Sequence, residues 1–117
     1  MTLRDVVKRL RTPADELDRA ELATRPKALG CTPIDQVVDR QVVDLVGQVR
    51  SVRIVPRAGA PALDVTIDDG HGLALAVFYG RKSIAGVHAG SMVRVGGRAR
   101  QHRGRITLIN PVYELLG

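Results

Sequence analysis

Residues 41–54 read Gln-Val-Val-Asp-Leu-Val-Gly-Gln-Val-Arg-Ser-Val-Arg-Ile, and their pattern decides the fold. Val43, Leu45, Gly47 and Val49 share one parity, while Asp44, Gln48 and Arg50 share the other. This is the period of two expected of a half-buried strand. The phase then slips, because Val52 and Ile54 are apolar with Arg53 between them. A slip within one long strand is the mark of a β-bulge, which bends the strand around a barrel corner.

Downstream, Pro56-Arg-Ala-Gly-Ala-Pro61 is a turn, and Leu63, Val65 and Ile67 alternate with Asp64 and Thr66 in a second strand. Asp68-Asp69-Gly70-His71-Gly72 carries the Asp-Gly signal of a tight hairpin. Leu73, Leu75 and Val77 define a third strand with these three side chains facing in, and the strand runs on into Phe78 and Tyr79. The segment Gly80–Gly90 predicts a short helix around Ser83–Val87. Met92–Arg100 reads as a fourth strand with a bend at Gly96-Gly97, Gln101–Gly104 as a hairpin turn, and Arg105–Pro111 as a fifth strand. Ile106 and Leu108 face one way on that strand and Thr107 the other.

Upstream, Leu3, Val6, Val7 and Leu10 have the i, i+3, i+4, i+7 spacing of an amphipathic helix. Thr12-Pro13 offers a helix cap with proline at the first helical position, followed by Asp15 and Glu16. Ala14, Leu17, Ala20 and Leu22 continue a helical pattern to about Thr24, where Pro26 and Gly30 end it. Arg25–Ile34 reads as a linker, and Thr32–Val38 leads toward the first strand. Eleven of the twelve glycines follow residue 40. Residues 1–39 are thus expected to form a helical extension and linker, and residues 40–117 a mainly β domain.

Charge follows the same division. Residues 1–39 carry seven Lys/Arg and seven Asp/Glu, whereas residues 40–117 carry eleven against five, so the whole net charge of +6 belongs to the β part. A basic, Gly-rich β-domain suggests a surface for a polyanion. No apolar run reaches the roughly 18–20 residues that span a bilayer, and the charged N-terminus is unlike a signal peptide. The lone Cys31 cannot pair within the chain, which fits a reducing cytoplasm. Spacings of the C-x-x-C, H-x-x-x-H or H-E-x-x-H kind are absent, and no catalytic set can be nominated. No enzyme activity, metal or cofactor is therefore expected.

Three strands, a short helix and two strands, with a long bulged first strand, is the order of the oligonucleotide/oligosaccharide-binding (OB) barrel, a five-stranded Greek-key fold. Leu45–Val52 resembles the first strand of such domains, Ile67–Gly72 their hairpin, and Ala89-Gly-Ser-Met-Val-Arg-Val-Gly-Gly-Arg98 the P-G-x-x-V-x-V-x-G-x-V pattern of strand four. Ala89 stands where that pattern has proline. Asn110-Pro-Val-Tyr-Glu114 is similar to the H/N-P-x-Y ending of the wedge domain of the RecG branch-migration helicase. Over residues 40–115 the chain resembles the stand-alone OB-fold nucleic-acid-binding proteins of actinobacteria. The helicase's motor domains have no counterpart here.

The resemblance implies binding of single-stranded or junction DNA, or RNA, with little sequence specificity. Such barrels use cations for phosphates and exposed aromatics for base stacking. The candidate phosphate contacts are Arg50, Arg53, Arg81, Lys82, Arg94, Arg98, Arg100, Arg103 and Arg105. Of the adjacent pair Phe78 and Tyr79, one should be core and the other exposed. Phe78, which faces out if Leu73, Leu75 and Val77 face in and is otherwise a core residue, is the leading stacking candidate and Tyr79 the second, with Tyr113 packing at the barrel base. With aromatics at 3% of residues, affinity should come mainly from phosphates and fall steeply with salt. The alternative function is a protein-interaction module, docking an acidic partner or self-associating through the N-terminal helix. That helix otherwise packs on its own barrel.

Overall fold

The computed structural model describes residues 18–117, so the helix expected over residues 3–11 and the start of the next lie outside the described residues. Two short helices, α1 (Arg19–Leu22) and α2 (Arg25–Ala28), precede a 3-10 turn at Ile34–Gln36. Six strands follow: β1 (Val42–Arg57), β2 (Ala60–Asp68), β3 (Leu73–Tyr79), β4 (Met92–His102), β5 (Arg105–Ile109) and β6 (Val112–Leu115). Among the described residues no helix is long and apolar enough to cross a membrane.

Five strands close into a ring, in the order β1–β2–β3–β5–β4 and back to β1. Closure depends on the length of β1. Its first part, Val42–Gln48, pairs antiparallel with β4, and its second part, Gln48–Arg57, pairs antiparallel with β2. The register shifts between Val49 and Ser51, so the bulge expected from the phase slip is real and Arg50 is the inserted residue. The one parallel contact, β3 with β5, completes the ring. β6 continues the line of β5 along β4 after a break at Asn110, whose φ is +47°, and Pro111.

The interior is aliphatic. Val43, Leu45 and Val49 of β1, Leu63, Val65 and Ile67 of β2, Val93, Val95 and Ala99 of β4, and Ile106 and Leu108 of β5 form one buried cluster. Burial of this kind contributes roughly 1.5–3 kcal/mol for each large side chain. The alternation read from the sequence holds on all four strands.

Strand β3 corrects its expected parity. Ala74, Ala76 and Phe78 face the core, and Leu73, Leu75 and Val77 face out. The reason is volume. Phe78, Ala76 and Ala74 lie opposite Leu63, Val65 and Ile67 of β2, and a small ring filled by those chains has room for two methyl groups and one phenyl ring, but not for two leucines as well.

Two further expectations are corrected. Arg25–Ala28 is a helix and not a linker, with Pro26 in its first turn, where a missing N–H costs nothing. The helix expected around Ser83–Val87 is a turn. Gly86 and Gly90 take φ of +82° and +98°, outside the helical region, and Ser91 Oγ stitches the loop by donating to Gly86 O at 2.8 Å and accepting from His88 N at 3.1 Å.

The segment before β1 packs on the barrel. Leu22, Pro26, Cys31, Ile34 and Val37 are buried, and Ile34 and Val37 belong to the core cluster. The β2–β3 hairpin is its anchor. Asp69 Oδ1 accepts from His71 N and Gly72 N, while its Oδ2 accepts from Ile34 N at 2.8 Å. Gly70 sits at φ +83°, and a Cβ there would lie 2.6 Å from Ala23 N. Only glycine permits so close an approach of the helical segment.

Candidate functional site

An open groove of about 840 Å³ crosses the outer surface of β1, β2, β3 and β5. The strand pairings place its floor in rows. Arg53, Asp64, Val77 and Ile109 follow one another across the sheet, and Ser51, Thr66, Leu75, Thr107 and Arg100 form the next row. The middle of the floor is aliphatic because β3 turns Leu73, Leu75 and Val77 outward. Leu73 is 55% exposed and Ile109 46%, apolar surface that the barrel leaves uncovered. The turns Ala58-Gly59 and Arg103-Gly104 lie at the ends of the strands that build it, and Gly104 itself lines it.

The electrostatics are set by how few carboxylates the barrel has. Asp44 receives Arg94 Nη2 at 3.3 Å. Asp68 is buried and binds both Arg19 and Arg50, the latter through Nε at 3.1 Å. Asp64 takes a forked pair of bonds from Arg57, Nε to Oδ1 at 3.2 Å and Nη2 to Oδ2 at 2.6 Å. These bonds raise the guanidinium pKa of Arg57, and the Asp44 bond does the same for Arg94. Asp69 is occupied by backbone N–H groups. Arg53, Arg81, Lys82, Arg98, Arg100, Arg103 and Arg105 have no carboxylate within 4 Å among the described residues. All seven are exposed, so their charge is available to a partner.

The candidates named from sequence separate into groups. Arg53 and Arg105 line the groove. Arg100 stands beside it, opposite Thr107, and Arg103 belongs to the turn at its end. Arg81 and Lys82 follow β3 in the exposed loop. Arg94 and Arg98 lie on the part of β4 that pairs with β1, away from the groove; Arg98 Nη1 donates to Arg40 O at 2.7 Å. Arg50 is half-buried and held by Asp68 and Gln48 Oε1.

Phe78 is corrected outright as a stacking platform. It is 7% exposed, in the core, with its ring edge-on to Tyr113 at 5.8 Å between centroids. No base can stack on a ring packed inside the barrel. Tyr79 is 41% exposed at the end of β3 and is left for that role, while Tyr113, 42% exposed, lies on β6 against Phe78.

Sequence reasoning missed Arg57, Thr66, Leu73, Leu75, Thr107 and Ile109. The signal was present in Leu73-Ala-Leu-Ala-Val-Phe-Tyr79, which is apolar on both parities. A barrel strand with two apolar faces has one in the core and the other exposed or covered by a partner.

Cys31 is buried beside the Asp44–Arg94 pair, and burial raises its thiol pKa above the ordinary value. Among the described residues no three His, Cys, Asp or Glu side chains come together as a metal site. No protein-family model matches the chain, and no curated protein matches it either.

Proposed function

We propose that the chain is a non-catalytic nucleic-acid-binding barrel of the OB type, which holds single-stranded DNA or RNA in the groove over β2 and β3. The observation that carries this reading is a groove with exposed aliphatic side chains, lined by Arg53 and Arg105, which have no carboxylate within 4 Å among the described residues. Its position supports it, since OB barrels bind oligonucleotides on the face of strands two and three between the loops joining strands one and two and strands four and five. The ring of five strands and the bulge in the first strand support the reading, and so do the strings that resemble the RecG wedge.

Phosphates run along Arg53, Arg105, Arg100 and Arg103, while bases lie on Leu73, Leu75 and Ile109, with Tyr79 at one end. Aliphatic contact is weaker than aromatic stacking and blind to base identity, so binding is weak and sequence-tolerant. Four phosphate contacts on a single strand give a log–log salt slope of about −3.

Fluorescence anisotropy with labelled single-stranded DNA, single-stranded RNA and duplex DNA at several salt concentrations tests the reading. Saturable binding that prefers single strands, with a slope near that value, is expected. Absence of binding to all three at low salt overturns it and leaves the groove to an acidic protein partner.

A further inference from the structure

We propose that the Arg57–Asp64 ion pair reads the hydrogen-bonding edges of unpaired bases, so that the groove selects single strands by the edges that a duplex conceals. This rests on the nucleic-acid reading of the groove.

A carboxylate is unexpected in a site for a polyanion. Asp64 nevertheless lines the floor, between Arg53 of β1 and Val77 of β3 in the register. It cannot meet phosphate favourably, so the backbone must keep to the arginine rim and turn its bases toward the floor. The fork from Arg57 spends two of the guanidinium's five N–H donors and two of the carboxylate's four acceptor sites. What remains is an acceptor at Oδ2 beside a donor at Nη2, 2.6 Å apart, on an arginine side chain 35% exposed and a carboxylate 11% exposed in the groove lining.

Every base offers the complement on its Watson–Crick edge, where a donor and an acceptor occupy neighbouring positions. These are the N6 amine and N1 in adenine, the N4 amine and N3 in cytosine, N1–H and O6 in guanine, and N3–H and O4 in thymine or uracil. One protein pair therefore serves all bases and discriminates little among them. In a duplex the same atoms are occupied by the opposite strand. The aliphatic neighbours Val77 and Ile109 keep the local dielectric low, which strengthens such bonds. With Phe78 in the core, edge contact takes the place of stacking as the means of holding a base.

The test uses the wild-type protein with labelled oligothymidylate and the same oligonucleotide built from N3-methylthymidine. The two share phosphates, sugars and rings, but the second lacks the N3–H donor. About tenfold weaker binding of the methylated strand, with an unchanged salt slope, is expected from losing a hydrogen bond to a charged group. Equal affinity overturns the edge reading alone. Failure of unmodified oligothymidylate to bind at low salt overturns the nucleic-acid reading and this one with it.

A second measurement uses Asp64→Ala. Removing a negative charge from the groove raises affinity for any polyanion if the carboxylate only braces Arg57. Edge reading requires instead that single-strand affinity fall while duplex affinity holds or rises. A rise for both overturns it.

Discussion

Replacing Phe78 by alanine should unfold the barrel more readily without weakening its grip on nucleic acid. The ring is almost fully withdrawn from water, and burying such a side chain contributes roughly 1.5–3 kcal/mol. Its edge-on contact with Tyr113 adds about 0.5–1.5 kcal/mol. The neighbours on its own strand face, Ala76 and Ala74, are too small to fill the space, so a cavity cost follows and the total reaches about 4 kcal/mol. With a urea slope of about 1.5 kcal/mol/M, the midpoint should fall by roughly 2–3 M. Far-UV circular dichroism in urea reads this directly. Oligonucleotide affinity, measured without denaturant at a temperature where the variant is folded, should match wild type. A wild-type urea midpoint combined with weakened binding would refute the core assignment and restore Phe78 as a platform.

Reversing charge in the groove with Arg53→Glu and Arg105→Glu together should abolish oligonucleotide binding and leave the circular dichroism spectrum unchanged, whereas Arg98→Glu, away from the groove, should keep most of the affinity. Gly70→Ala places a Cβ against Ala23 N at a positive φ and should cost about 2 kcal/mol, lowering Tm by on the order of 8 °C; an unchanged Tm would mean that the helical segment does not press on the hairpin. Cys31 should react slowly with iodoacetamide at pH 8.5 in the native protein and rapidly in urea, since burial raises its pKa. Because the neutral thiol is the form the fold favours, this contribution to stability is full below the ordinary thiol range and is lost as pH rises through the raised value. Native labelling as fast as in urea would contradict the burial.

The ring was legible because its strands announce themselves by phase. The slip after Val49 located the bulge, and the alternations of β2, β4 and β5 assigned their inner faces. Parity failed on β3 because hydrophobicity is nearly equal on its two faces. There the choice falls to volume, which depends on Leu63, Val65 and Ile67 across the pair and cannot be read from β3 alone. The same failure concealed the groove, whose floor is the face of β3 expected inside. Helices were less legible. A proline at Pro26 reads as a terminator or as a first-turn residue, and only the packing of α2 on β1 decides. The surplus of cations was plain from composition, but which of them are spent depends on contacts between distant positions, such as Arg50 with Asp68 and Arg94 with Asp44.

The most direct test of the groove as a binding face is the mapping of backbone amide shifts in the ¹⁵N-labelled protein during titration with a short single-stranded oligonucleotide. Changes concentrated at 53–57, 64–66, 73–79 and 103–109 are expected. Changes confined to the Arg94–Arg98 side of the barrel, or shifts absent throughout, would contradict it.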